Sequence, residues 1–95
     1  MALKEADIMD HSKLDPQLIS ALKKIGNQEE RVLQVIIGTN YPVGPGEAAI
    51  LRNFGIDAKE GMKINTAAVS AKDVDGLSNI DWVNCISLQK KLKPI

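Results

Sequence analysis

Residues 65 to 95 read NTAAVSAKDVDGLSNIDWVNCISLQKKLKPI: a strand of small apolar residues, a capped helix, a second apolar strand and a basic tail. That order predicts a sheet that presents its own C-terminus. Asn65 suits a tight turn, and Thr66 to Ser70 read as a short strand. Ser70 and Asp73 form an S-x-x-D capping pattern for a helix of two turns, with Val74, Leu77 and Ile80 as its buried stripe. Gly76 inside that helix costs roughly 1 kcal/mol relative to Ala, so the helix depends on packing. Asn79 to Asp81 make the exit turn, and Trp82 to Leu88 form a last strand containing Val83, Cys85 and Ile86. Cys85, between apolar neighbours, reads as a buried core thiol and Trp82 as core or edge packing.

Upstream, residues 1 to 14 show no sustained period and read as a flexible leader. Asp15 can cap the first turn of a helix over 15 to 25. Pro16 fits its first position, and Leu18, Ile19, Leu22 and Ile25 share one face before Gly26. Val32 to Ile37 is too β-branched and too short for a helix, and it is the candidate central strand. TNYPVGPG is a loop that leads into a helix from about Pro45 to Asn53, with Ile50, Leu51 and Phe54 inward and Gly55 as a left-handed stop. From Ile56 to Ile64 apolar and charged residues alternate, which predicts a half-buried strand with a bulge or tight bend near Glu60 and Gly61. After the N-terminal helix the predicted order is therefore β-α-β-β-α-β. This is the α+β, ferredoxin-like arrangement: a four-stranded antiparallel sheet with two helices on one face and the other face open.

Composition limits what that open face can do. The chain has 95 residues, enough for one small core, and only Tyr41, Phe54 and Trp82 are aromatic, so Val, Ile, Leu and Ala must fill that core. Twelve basic and twelve acidic residues cancel, which leaves no global field to favour nucleic acid or an anionic membrane. The central strand also lacks the aromatics on which RNA-binding domains of this topology stack bases. Cys85 is the only cysteine, so an intrachain disulfide and a paired-cysteine metal or redox motif are excluded. MALKEADIMD lacks the basic region and apolar run of a secretory signal, and no stretch approaches a membrane span, so the chain reads as soluble and unexported.

No catalytic set can be assembled. His11, the only histidine, falls in the leader, so no Ser-His-Asp or Cys-His set can be built around it. The carboxylates occur singly or beside lysines and give no general acid and base pair. VGPGE lacks the Lys-Ser/Thr of a phosphate loop, and Pro45 removes an N–H donor. The expectation is a protein without enzymatic activity, cofactor or metal.

The stretch Ile64 to Gln89 resembles the second half of the propeptide of subtilisin-like serine proteases, the inhibitor I9 type. The matching positions are Asn65, Ala67, Val69, Leu77, Val83 and Ile86. SKLDPQLISALKK and RVLQVIIGTN also resemble the first helix and first strand of bacterial subtilase pro-regions. The resemblance spans nearly the whole chain from about Ser12. It departs at Gln89, where the family has an acidic residue. What it implies is a propeptide-like domain over 15 to 89, standing alone or cut from a longer pro-protease. Such a domain inhibits a subtilisin-like serine protease and chaperones its folding. The open sheet face would pack on the protease, and the exposed tail over 90 to 95 would lie in the substrate cleft through Lys91, Leu92, Lys93, Pro94 and Ile95. With Ile95 nearest the catalytic serine, Leu92 falls where such enzymes accept a large apolar side chain. The alternative is a non-catalytic ferredoxin-like interaction module, which dimerises through the same open face.

Overall fold

Asp15 caps the first α-helix as its side chain predicts. In the computed structural model, which describes residues 11 to 92, Asp15 Oδ1 accepts the Leu18 N–H at 2.6 Å and starts α1, Pro16–Lys24. Leu18 and Ala21 of α1 are buried, whereas Ile19 and Leu22 pack only partly on the core. A 3-10 turn, His11–Lys13, precedes it. The expected leader yields at least its last two residues to the domain: Lys13 Nζ donates to the Ile80 carbonyl at 2.7 Å, and Leu14 is buried. Residues 1 to 10 lie outside the described residues.

The β-branched run becomes the central strand β1, Leu33–Thr39, followed by α2, Pro45–Arg52. Glu47 Oε1 accepts the Gly44 N–H at 3.1 Å, which satisfies one free donor at the start of α2. Ala48 and Leu51 are its buried positions. Ile50, expected inward, is exposed. Gly55 then adopts the left-handed conformation expected of the stop, with φ 78°.

The remaining elements are β2, Ile64–Val69, α3, Ala71–Ser78, and β3, Val83–Lys91. The capping box of α3 is complete, with Ser70 Oγ accepting the Asp73 N–H and Asp73 Oδ2 accepting the Ser70 N–H. Val74 and Leu77 are buried as the stripe predicts, with Ile80 partly so. The strands form one antiparallel sheet in the order β2-β1-β3. Because β2 and β3 both run against β1, they are parallel to each other, and α3 crosses between them as a split β-α-β unit. Among the described residues no helix is long and apolar enough to cross a membrane.

The sheet has three strands, not the four expected. Ile56 and Ala58 are buried in keeping with the alternation, but Met62 and Ile64 are 48% and 59% exposed. Gly61, at φ 86°, occupies the left-handed region open to glycine, and the chain turns there. The Gly61 N–H goes to the Val43 carbonyl and the Val43 N–H to the Met62 carbonyl. These bonds tie residues 61 and 62 to the loop after β1 instead of to a strand ladder. Asn65, expected at a turn, lies within β2; its buried side chain accepts the Lys59 N–H at 3.0 Å.

One face of the sheet is covered. Leu33, Val35 and Ile37 are fully buried in a single core cluster with Val69 and Ile86, together with Leu18 of α1, Leu51 of α2 and Leu77 of α3. Asp15 also secures the outer edge of β3, donating its N–H to the Ile86 carbonyl and accepting the Leu88 N–H on Oδ2 at 3.1 Å. Loss of the helix cap and of this second bond should make Asp15→Ala cost about 2 kcal/mol in urea unfolding, with Asp15→Asn recovering part of it.

Candidate protein-binding surface

The face of the sheet turned away from the helices carries the alternate residues of each strand. In β1 these are Gln34, Ile36 and Gly38; their register partners are Ala68, Thr66 and Ile64 in β2, and Lys90, Ser87 and Cys85 in β3. Apart from Ile36 and Ile64 the middle of this surface is built from small side chains, and its first formal charge is Lys90. A sheet face of this kind admits close approach by another protein backbone and asks for no counter-charge.

Cys85 belongs to this surface, which corrects its expected burial: it is an exposed, free thiol. The cause is an irregular register near the start of β3. Gly38 pairs with Cys85 but Thr39 pairs with Val83, so Asn84 is an extra residue and the inward phase passes from Val83 to Ile86. A Cβ on Gly38 would stand 2.7 Å from Cys85 Sγ, so the thiol lies against the bare glycine. In the native protein Cys85 should react with a maleimide in full, before any unfolding. Reaction only in denaturant would return it to the core.

A second irregularity sits at Gln89. Val35 pairs with Leu88 and Gln34 with Lys90, which leaves Gln89 bulged; its Oε1 accepts the Gln34 Nε2–H at 2.7 Å. The bulge lets β3 continue through Lys91, three residues past the expected end of the strand. Lys90 and Lys91 are therefore strand residues paired to Gln34 and Leu33, not part of a free tail. Leu92 follows with its N–H donated to the Val32 carbonyl at 2.7 Å and its side chain 41% exposed. Lys93, Pro94 and Ile95 lie outside the described residues. Of the five expected binding residues, Lys91 and Leu92 are thus held at one end of the sheet, where β3 hands the chain on.

In comparisons with family models, curated proteins and solved structures, nothing matches this chain. The surface must be judged on its own geometry.

Elsewhere, a cleft of about 460 Å³ lies between the end of α2 and the start of α3, lined by Arg31, Phe54, Lys72, Asp73 and Asp75 among others. Its charges are mixed, and Arg31 reaches to 4.0 Å from Asp73. Among the described residues no three His, Cys, Asp or Glu side chains gather as metal ligands. Tyr41 is held above its ordinary value of 10 by desolvation of its hydroxyl and by Glu47, whose Oε2 accepts that hydroxyl at 3.4 Å. This pair braces the loop before α2 and is not part of the bare face.

The sequence reading missed one feature of the surface, the outer edge of β2. Its signal was present: INTAAV contains no charge and no proline. These are the residues with which exposed edges are usually protected.

Proposed function

We propose that this domain is a propeptide-like inhibitor and folding chaperone of a subtilisin-like serine protease, acting without catalysis of its own. It docks by the bare sheet face and lays its C-terminal residues, Lys91 to Ile95, along the substrate cleft. The observation that carries the reading is the continuity of β3 with both working parts. Cys85 and Ser87 contribute to the uncharged face, and the same strand then delivers Leu92 at the end of the sheet. An extended segment leaving a strand can add backbone hydrogen bonds to a cleft while alternate side chains fill its pockets. The likeness to subtilase propeptides in residues 64 to 89 supplies the class of partner. Three strands give a narrower platform than the four of that arrangement, which places more of the binding on the chain beyond Lys91.

The test is titration of the full chain against a subtilisin-like protease, with Ile36→Lys as the face variant. The full chain should inhibit, and a lysine in the middle of the uncharged face should weaken inhibition by at least about tenfold, the penalty for burying an unpaired charge. No inhibition by the full chain would reject the reading. A second reading, a non-catalytic interaction module, is favoured by the unprotected edge of β2.

A further inference from the structure

We propose that two copies of this chain pair through their β2 edges, antiparallel about Thr66, to form one continuous sheet. The backbone parity of β2 leads to this. Thr39 donates its N–H to the Lys63 carbonyl at 2.8 Å, and in an antiparallel ladder hydrogen-bonded pairs alternate. Asn65, Ala67 and Val69 therefore bond to Ile37, Val35 and Leu33, and the N–H and C=O groups of Ile64, Thr66 and Ala68 point away from β1. Lys59 donates its N–H to the buried side chain of Asn65, and among the described residues the segment around it makes no backbone bond to β2.

The two edges of the sheet are treated differently. On β3 the outward Ile86 carbonyl and Leu88 N–H are taken up by Asp15, Leu14 forms a bridge to Ile86, and the strand carries two bulges and two lysines. On β2 there is no charge, proline or bulge. An edge of that composition is a template for another strand.

The second copy is the occupant that fits it. A two-fold axis at Thr66 sets Ile64 opposite Ala68 of the second copy, Thr66 opposite Thr66, and Ala68 opposite Ile64. Every outward N–H then meets an outward carbonyl. The side chains follow the same register: threonine beside threonine, and a large residue beside a small one, with no like charges opposed. Because the pairing is isologous it removes both bare edges at once and leaves the Asp15-covered β3 edges outermost. The bare face stays free, so this pairing stands or falls separately from protease binding.

Sedimentation equilibrium from about 1 μM to about 1 mM, the range over which modest interfaces dissociate, should show a reversible dimer. Thr66→Pro deletes an N–H that bonds to no described residue of the monomer, so it should keep the fold and weaken dimerisation by at least about tenfold. Ile36→Lys, on the face and one strand in from the edge, removes no outward backbone group of β2 and should leave the dimer intact. If Thr66→Pro fails to fold, hydrogen exchange of the unaltered chain decides: the amides of Ile64, Thr66 and Ala68 should be slowed at high concentration and released on dilution. A monomer throughout the range, a dimer lost with Ile36→Lys, or free exchange of those amides at every concentration would overturn the proposal.

Discussion

A chain ending at Lys91 is expected to fold as the full chain does and to inhibit a subtilisin-like protease at least about 100-fold more weakly, a loss of about 2.7 kcal/mol. The fold should survive because the truncation falls just beyond the last ladder pair, Leu33 with Lys91. The one described backbone bond it removes is that from the Leu92 N–H to the Val32 carbonyl. Among the described residues, nothing beyond Leu88 belongs to the core cluster or packs against it. Inhibition should suffer because the deletion removes the large apolar side chains Leu92 and Ile95 together with a segment that can add backbone bonds to a cleft. Leu92→Ser in the full-length chain should recover most of the backbone contribution and lose about tenfold, as expected for one buried anchor. Inhibition constants measured beside far-ultraviolet circular dichroism separate the two effects. Equal inhibition by the full and truncated chains would assign binding to the sheet face alone.

What the sequence reveals and conceals about this domain follows from the range of each interaction. The caps at Asp15 and Ser70 are readable because donor and acceptor lie three residues apart. The central strand is readable because β-branched residues leave few alternatives. The segment from Ile56 to Ile64 misleads because alternation records which side chains are buried, and Ile56 and Ala58 are indeed buried. A strand also needs a neighbour for its backbone, and here the Gly61 N–H and the Met62 carbonyl are taken by Val43 in the loop after β1, a pairing that side-chain alternation does not record. Cys85 misleads for a related reason. Counting by twos from Val83 puts it inward, but the extra residue Asn84 resets the phase, and a bulge is visible only once the partner strand is in place. Gln89 repeats the case at the other end, where the residue just past the expected end of the strand is a bulge and Lys90 and Lys91 continue the ladder beyond it. For the candidate surface, the openness of one sheet face was legible from the predicted topology. For the β2 edge the composition INTAAV shows only that no charge or proline protects it, and that it is an edge at all depends on the absence of the fourth strand.

The largest stability difference should separate two adjacent residues of β1. Ile37→Ala is expected to cost about 2 to 5 kcal/mol, and Ile36→Ala no more than about 1 kcal/mol. Ile37 is fully buried at the middle of the central strand, paired across to Ile86, which is also fully buried. The helices above both residues are anchored in the same cluster, so truncation leaves a void that rigid neighbours cannot close. A domain of this size has only about 5 to 14 kcal/mol of stability in all, so Ile37→Ala should shift the urea midpoint by a large fraction of its value. Ile36 points the other way, between Thr66 and Ser87 on the face that none of the described helices covers, and its loss opens no buried cavity. Urea unfolding of both variants at low protein concentration checks the contrast. Comparable losses would mean that the face is covered in solution, and repeating the Ile36→Ala measurement at high concentration would show whether another copy of the chain covers it. A dimer paired at the β2 edge instead predicts that Ile36→Ala stays mild at both concentrations.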